Sequence, residues 1–155
     1  MNRKTILMAV AVLFAGAAVC LAADENMGTW KLNEAKSKFP PGAPKNHTVK
    51  YEAATGDEMK VIVDGVDGEG KPTHNEWTGK FDGKDYKITG DTTADTRSYK
   101  KIDDRTTELT NKKDGKVVFT GKIVISADGK SRTVTVNGTN AKGEKVTSTA
   151  MYDKQ

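Results

Sequence analysis

Cysteine is nearly absent: Cys20 is the only one in 155 residues. A disulfide-stapled scaffold is thereby excluded. Aromatic residues make up 6% of the chain and hydrophobic residues of all kinds 35%, which argues against a large multilayer α/β enzyme. No stretch beyond residue 24 shows the 3.6-residue apolar period of an amphipathic helix. The nearest is Asn33 to Ser37, room for one helical turn ahead of Pro40 and Pro41. There is no Gly-x-Ser-x-Gly elbow, no phosphate-cradling Gly loop and no His-Glu-x-x-His helix. Charge of one sign does not dominate either, with 25 basic and 21 acidic side chains.

What is present begins with a leader. Arg3 and Lys4 precede an uncharged, mostly apolar stretch from Thr5 to Ala23, which exits through small residues before Asp24 and Glu25. A basic start, an apolar stretch and a small-residue exit read as a secretory signal peptide over residues 1–22, rather than as a retained anchor. The remaining 23–155 form one domain. Val19 before Cys20 fits a lipoprotein cut poorly. Loss of the leader leaves no cysteine, so thiol catalysis and Cys-ligated zinc go with it. It also takes Arg3 and Lys4, leaving 23 basic against 21 acidic groups. That balance implies no nucleic-acid partner. No membrane span is expected in the mature protein.

Beyond Asp24, short stretches alternate apolar and polar residues. Val49, Tyr51 and Ala53 share a face, as do Met59, Val61 and Val63. So do Trp77, Gly79 and Phe81; Tyr86 and Ile88; Val117, Phe119, Gly121, Ile123 and Ile125; Arg132, Val134 and Val136; and Val146, Ser148, Ala150 and Tyr152. Period two marks half-buried strands. Asp64-Gly65, Asp67-Gly68, Asp82-Gly83, Asp114-Gly115, Asp128-Gly129 and Asn137-Gly138 read as the turns between them, because type I′ turns favour Asn or Asp followed by Gly. The prediction is an all-β domain, an antiparallel up-and-down meander of about 8–10 strands closing into a barrel. Closure buries one face and removes exposed edges.

Gly28-Thr29-Trp30-Lys31-Leu32 opens this domain and Tyr152-Asp153-Lys154 closes it. With Gly28 to Phe39, Lys71 to His74, Lys80 to Tyr86 and Asp114 to Val118, these stretches resemble bacterial secreted lipocalin-like proteins of the calycin type, over most of the mature chain. The likeness to fatty-acid-binding proteins is more distant. It implies a lipocalin-like β-barrel and a secreted or periplasmic location, with no cofactor and no assigned activity. Fatty-acid-binding proteins carry an Arg-x-Tyr pair on the last strand. Matching Tyr152 to that Tyr puts Ala150 at the Arg position, so fatty-acid binding does not carry over. The resemblance makes Trp30 a structural plug of the closed end.

The inward aromatics Tyr51, Trp77, Phe81, Tyr86, Tyr99 and Tyr152 either line a ligand cavity or form the core itself. Arg132 shares the phase of Val134 and Val136. It either holds a ligand's acid group or, being next to the turn residues Lys130 and Ser131, sits at the strand mouth in water; the second reading is preferred here. His47 and His74 would have to converge to hold a metal, and alternation puts His74 and Glu76 outside. Asp64, Asp67 and Glu69 lie in a Gly-rich turn without EF-hand order. Asn75, Asn111, Arg132 and Ser148 are the in-phase polar positions, with no ordered catalytic set among them. The expected function is non-enzymatic binding of a small hydrophobic or amphipathic ligand inside the barrel. The alternative is a filled barrel acting through its surface on an envelope partner.

Overall fold

The computed structural model describes residues 24–140 and 142–155; the leader lies outside them. Its ten strands are β1 (Gly28–Leu32), β2 (Lys45–Ala53), β3 (Met59–Val66), β4 (Pro72–Gly79), β5 (Tyr86–Thr89), β6 (Thr96–Lys101), β7 (Thr106–Lys113), β8 (Lys116–Ile125), β9 (Ser131–Thr139) and β10 (Lys145–Lys154). Each is antiparallel to its sequence neighbour, and β1 also pairs with β10. The meander therefore closes into a barrel, as the alternation predicts. A short 3-10 turn, Glu34–Lys36, follows β1; the Asn33 side chain caps it by accepting from the Lys36 N–H.

The sequence pattern explains the hairpins. Asp114 and Gly115, at φ 49° and 74°, form the two-residue link between Lys113 and Lys116. Both central residues carry the positive φ of a type I′ turn. Two expected turns are strand instead: Asp64-Gly65 lies inside β3 and Asn137-Gly138 inside β9. At Gly65 glycine is needed for close approach, whereas at Gly138 a Cβ would be only mildly crowded. A Cβ on Gly65 would stand 2.1 Å from the Lys45 carbonyl oxygen, and one on Gly138 3.3 Å from the Phe119 Cβ.

The inward face carries the core. Val49, Val61 and Val63 on β2 and β3, Ile88 on β5, Leu109 on β7 and Ile123 and Ile125 on β8 are all buried. Val117 departs from the expected inward run and is 56% exposed. The register slips between Asn111 and Lys112, so Phe119 faces Asn111 while Val117 faces Lys112. This bulge breaks the alternation at the start of β8.

The two ends of the barrel differ. Near the β8–β9 turn, the inward residues Ile125, Arg132 and Tyr152 are almost fully buried. Towards the β9–β10 turn, the same faces present Phe119, Val136, Ser148 and Val146, all only half-buried. No described helix is long and apolar enough to cross a membrane.

Candidate functional site

The inward aromatics form one connected group. Trp77 on β4 meets the Tyr99 ring of β6 edge-on at 4.8 Å, and Tyr86 of β5 at 5.7 Å. Gly79 makes the second contact possible, because a Cβ there would lie 2.5 Å from the Tyr86 ring. Phe81 follows the end of β4 and folds back, stacking on Tyr99 at 4.9 Å and approaching Tyr51 at 6.4 Å. The Trp77 indole N–H donates to the Arg97 carbonyl at 2.8 Å, which satisfies its one polar atom. Tyr86 stands at the edge of the group, half-buried, with its hydroxyl donating to the exposed Asp82 carboxylate.

Arg132 continues the group on the opposite wall. Its guanidinium carbon stands over three rings: Trp30 at 4.8 Å, Tyr152 at 4.9 Å and Tyr51 at 5.0 Å. The expectation that Arg132 sits in water is corrected, since the residue is 2% exposed. The turn does not carry it outward, because Arg132 pairs with Tyr152 in a regular ladder that keeps both inward. Cation–π attraction to three desolvated rings lowers the cost of burying the charge. Among the described residues no carboxylate pairs with it, and its Nε and Nη1 have no hydrogen-bond partner.

Trp30 is fully buried at this end. Its indole N–H donates to the Asn26 carbonyl at 2.8 Å. Lys154 of β10 stands over the same ring at 5.1 Å, and its ammonium donates to the Glu25 carbonyl. Trp30 thus ties the entry segment to both closing strands. The Tyr152 hydroxyl donates to the Asn46 carbonyl at 2.9 Å. Burial pushes the Tyr152 phenol up to about 12, with the nearby Arg132 charge opposing the shift. Tyr99 is pushed up further, again mainly by burial.

A second buried cation, Arg97, did not emerge from the sequence. Its Nε donates to Asn111 Oδ1 at 2.9 Å, and its Nη2 lies 3.8 Å from Asp91. The available signal was its phase, two residues before Tyr99 on β6. Asn111 is fully buried with its Nδ2 unpartnered, and Asn75 has a buried unpartnered Oδ1. Ser148 is half-buried on the inner face of β10.

The remaining candidates lie outside. His74 is on the outer face of β4, its Nδ1 2.6 Å from Asp64 and its Nε2 3.5 Å from Glu76. His47 instead faces Glu34 at 3.8 Å. Asp67 Oδ1 accepts from the Glu69 and Lys71 N–H groups, shaping the β3–β4 turn, and these bonds hold its carboxyl below the usual range. Among the described residues no group of three His, Cys, Asp or Glu side chains is placed to hold a metal. Two recesses of about 550 Å³ each lie at the rims, one by Phe39, Pro40 and His47, the other by Asp103, Val124 and Ser126.

No family model and no curated protein matches the chain. Among solved structures it is similar to EF1p2_mFAP2b bound to DFHBI, at 12% identity, a TM-score of 0.51, and coverage of 86% of this chain and 97% of that chain. At that identity the likeness shows the fold alone, in keeping with the closed ten-stranded barrel.

Proposed function

We propose that the barrel interior holds a small, partly apolar ligand, in a non-enzymatic protein exported to the periplasm or beyond. One observation carries this reading: Asn75, Asn111 and Arg132 all belong to the inward phase and all keep buried polar atoms without partners. Buried polar groups in folded proteins are nearly always bonded, so such a set calls for a polar guest. The half-buried Phe119, Val134 and Val136 supply apolar surface towards the less deeply buried end. The similar barrel bound to DFHBI lends support through its architecture alone. The leader supports the exported location.

Native mass spectrometry of the protein purified from its own export route, without detergent, tests the reading. A stable added mass, lost on collisional activation, is expected. A clean apo mass, together with no uptake of small amphipathic dyes, refutes it.

A second reading has its own observation. Trp77, Phe81 and Tyr99 pack ring against ring at 4.8 to 6.0 Å, and both 550 Å³ recesses lie at the rims. That arrangement suits a filled barrel acting through its surface on an envelope partner. The same apo result would favour it.

A further inference from the structure

The inward rings are not equally sealed. Trp77, Tyr99 and Tyr51 are almost fully buried, whereas Tyr86 is half-buried at the start of β5. The rings nonetheless form one continuous path. Tyr51 approaches Phe81 at 6.4 Å, Phe81 stacks on Tyr99 at 4.9 Å, Tyr99 meets Trp77 at 4.8 Å and Trp77 meets Tyr86 at 5.7 Å. Electron tunnelling falls off exponentially with the gap, so rings in contact exchange electrons far faster than separated ones. The path from the core to the surface ends at Tyr86.

A phenol that gives up an electron becomes a strong acid and must shed its proton. Among the described residues Tyr86 is the one tyrosine whose hydroxyl donates to a carboxylate, Asp82 Oδ2 at 3.0 Å. The Lys84 N–H donates to the other carboxylate oxygen at 3.0 Å and holds Asp82 below the usual range, ionised and ready to accept. Tyr152 donates instead to the Asn46 carbonyl, and burial opposes loss of its proton. The Trp77 N–H is committed to the Arg97 carbonyl. A carbonyl does not take up a proton, so an oxidised Trp77 keeps its charge and stays a strong oxidant.

Charge supplies a direction. Arg132 stands over Tyr51 at 5.0 Å and Arg97 over Tyr99 at 5.9 Å. Both guanidiniums are always charged, and they repel an electron hole in the core where water does not screen it. Asp82, at the surface end, attracts it.

We propose that Tyr86 is the outlet of a one-electron relay, which restores the buried rings after an oxidant has taken an electron from Trp77. A one-electron oxidant, such as a radical anion or a high-potential metal complex, leaves Trp77 as its radical cation. An electron passes from Tyr86 to Trp77 and regenerates the indole. The phenol proton moves along the existing hydrogen bond to Asp82, leaving a neutral tyrosyl radical. A thiol in solution then returns a hydrogen atom to Tyr86 and becomes a thiyl radical, while Asp82 releases its proton to water. None of these steps depends on a guest in the barrel.

Flash excitation of tryptophan with pentaamminechlorocobalt(III), an irreversible electron acceptor, removes one electron from an indole of the exported protein. Transient absorption follows the tryptophanyl and tyrosyl signals in the parent, in Tyr86→Phe and in Asp82→Asn, with near-UV circular dichroism reporting the fold. In the parent the tryptophanyl signal should decay into a tyrosyl one, at a rate independent of protein concentration. Tyr86→Phe should lower the tyrosyl yield at least tenfold and prolong the tryptophanyl signal. Asp82→Asn keeps the ring and should slow the transfer at least tenfold. The relay is overturned by a parent that forms no tyrosyl product or forms it only between molecules. It is equally overturned by parental tyrosyl yield in folded Tyr86→Phe, or by the parental rate in Asp82→Asn. Asp82 is exposed, so Asp82→Asn leaves the core untouched and decides alone should Tyr86→Phe fail to fold.

Discussion

Replacing Gly79 by Ala tests whether the aromatic group is as tightly packed as its distances imply. The new methyl would stand 2.5 Å from Tyr86 Cγ, 2.7 Å from its Cδ2 and 2.8 Å from Trp77 Cζ2. Ordinary carbon contacts begin at about 3.5 Å, so one or both rings must move by most of an ångström. Trp77 is held by its bond to the Arg97 carbonyl and by full burial. Tyr86, half-buried and tethered at Asp82, is the ring that yields, and its edge contact with Trp77 goes with it. Overpacking of this kind costs about 1–3 kcal/mol. Against it stands the gain from restricting the unfolded chain, about 0.4–1 kcal/mol for Gly to Ala. The expected net loss is about 1–2 kcal/mol, or roughly 4–8 °C in Tm for a domain of this size. Urea unfolding followed by tryptophan fluorescence reads it directly. In the Gly79→Ala background, Tyr86→Ala should cost at least about 1 kcal/mol less than in the parent, a coupling that a double-mutant cycle isolates. A neutral Gly79→Ala, or additive costs, would refute the packing argument.

Alkaline stability gives a second prediction. Tyr152 ionises at about 12 in the folded protein, against about 10 for a free tyrosine. Its contribution is whole below pH 10 and is lost between pH 10 and 12, because only the unfolded chain ionises in that window. The loss is about 2–3 kcal/mol. Tyr152→Phe should cost about 1 kcal/mol at neutral pH through the lost bond to Asn46 and flatten the fall between pH 10 and 12; urea midpoints across that range check both. His74 should titrate above the usual histidine range by NMR, held up first by its hydrogen bond to Asp64, and Asp64→Asn should bring it down. Val136→Trp, placed in the half-buried stretch, should reduce dye uptake with little change in the urea midpoint; unchanged uptake would place the ligand path elsewhere.

The architecture was readable because a half-buried strand writes its two faces into the sequence. Val49 and Tyr51, or Ile123 and Ile125, are buried as their spacing indicates. Asp114-Gly115 turns as its residue types require, yet Asp64-Gly65 and Asn137-Gly138 do not. A glycine that permits positive φ and a glycine that lets a backbone come close look alike until the neighbouring strand is known. Register hid the rest. Alternation put Arg132 on the inner face but could not say how deep, because depth depends on which residues of β8 and β10 lie alongside. Arg97 was overlooked for a related reason: its partners Asn111 and Asp91 come from other segments, and no local pattern links them.

The seam between β1 and β10 bears on how this molecule comes to exist. Every other ladder joins neighbours in the sequence and can form as a hairpin while the chain is still lengthening. The seam pairs Trp30 with Lys154 and is extended by the Gln155 N–H donating to the Thr29 carbonyl. It must wait for the last residues to arrive, and closing so long a loop is the slow step of a topology otherwise built from local contacts. Until then β1 is an open edge, and Trp30 lacks the Lys154 cation that covers its ring. A chain threaded through a membrane from its amino terminus would therefore stay unclosed during transit, and locking would begin on release of its final strand.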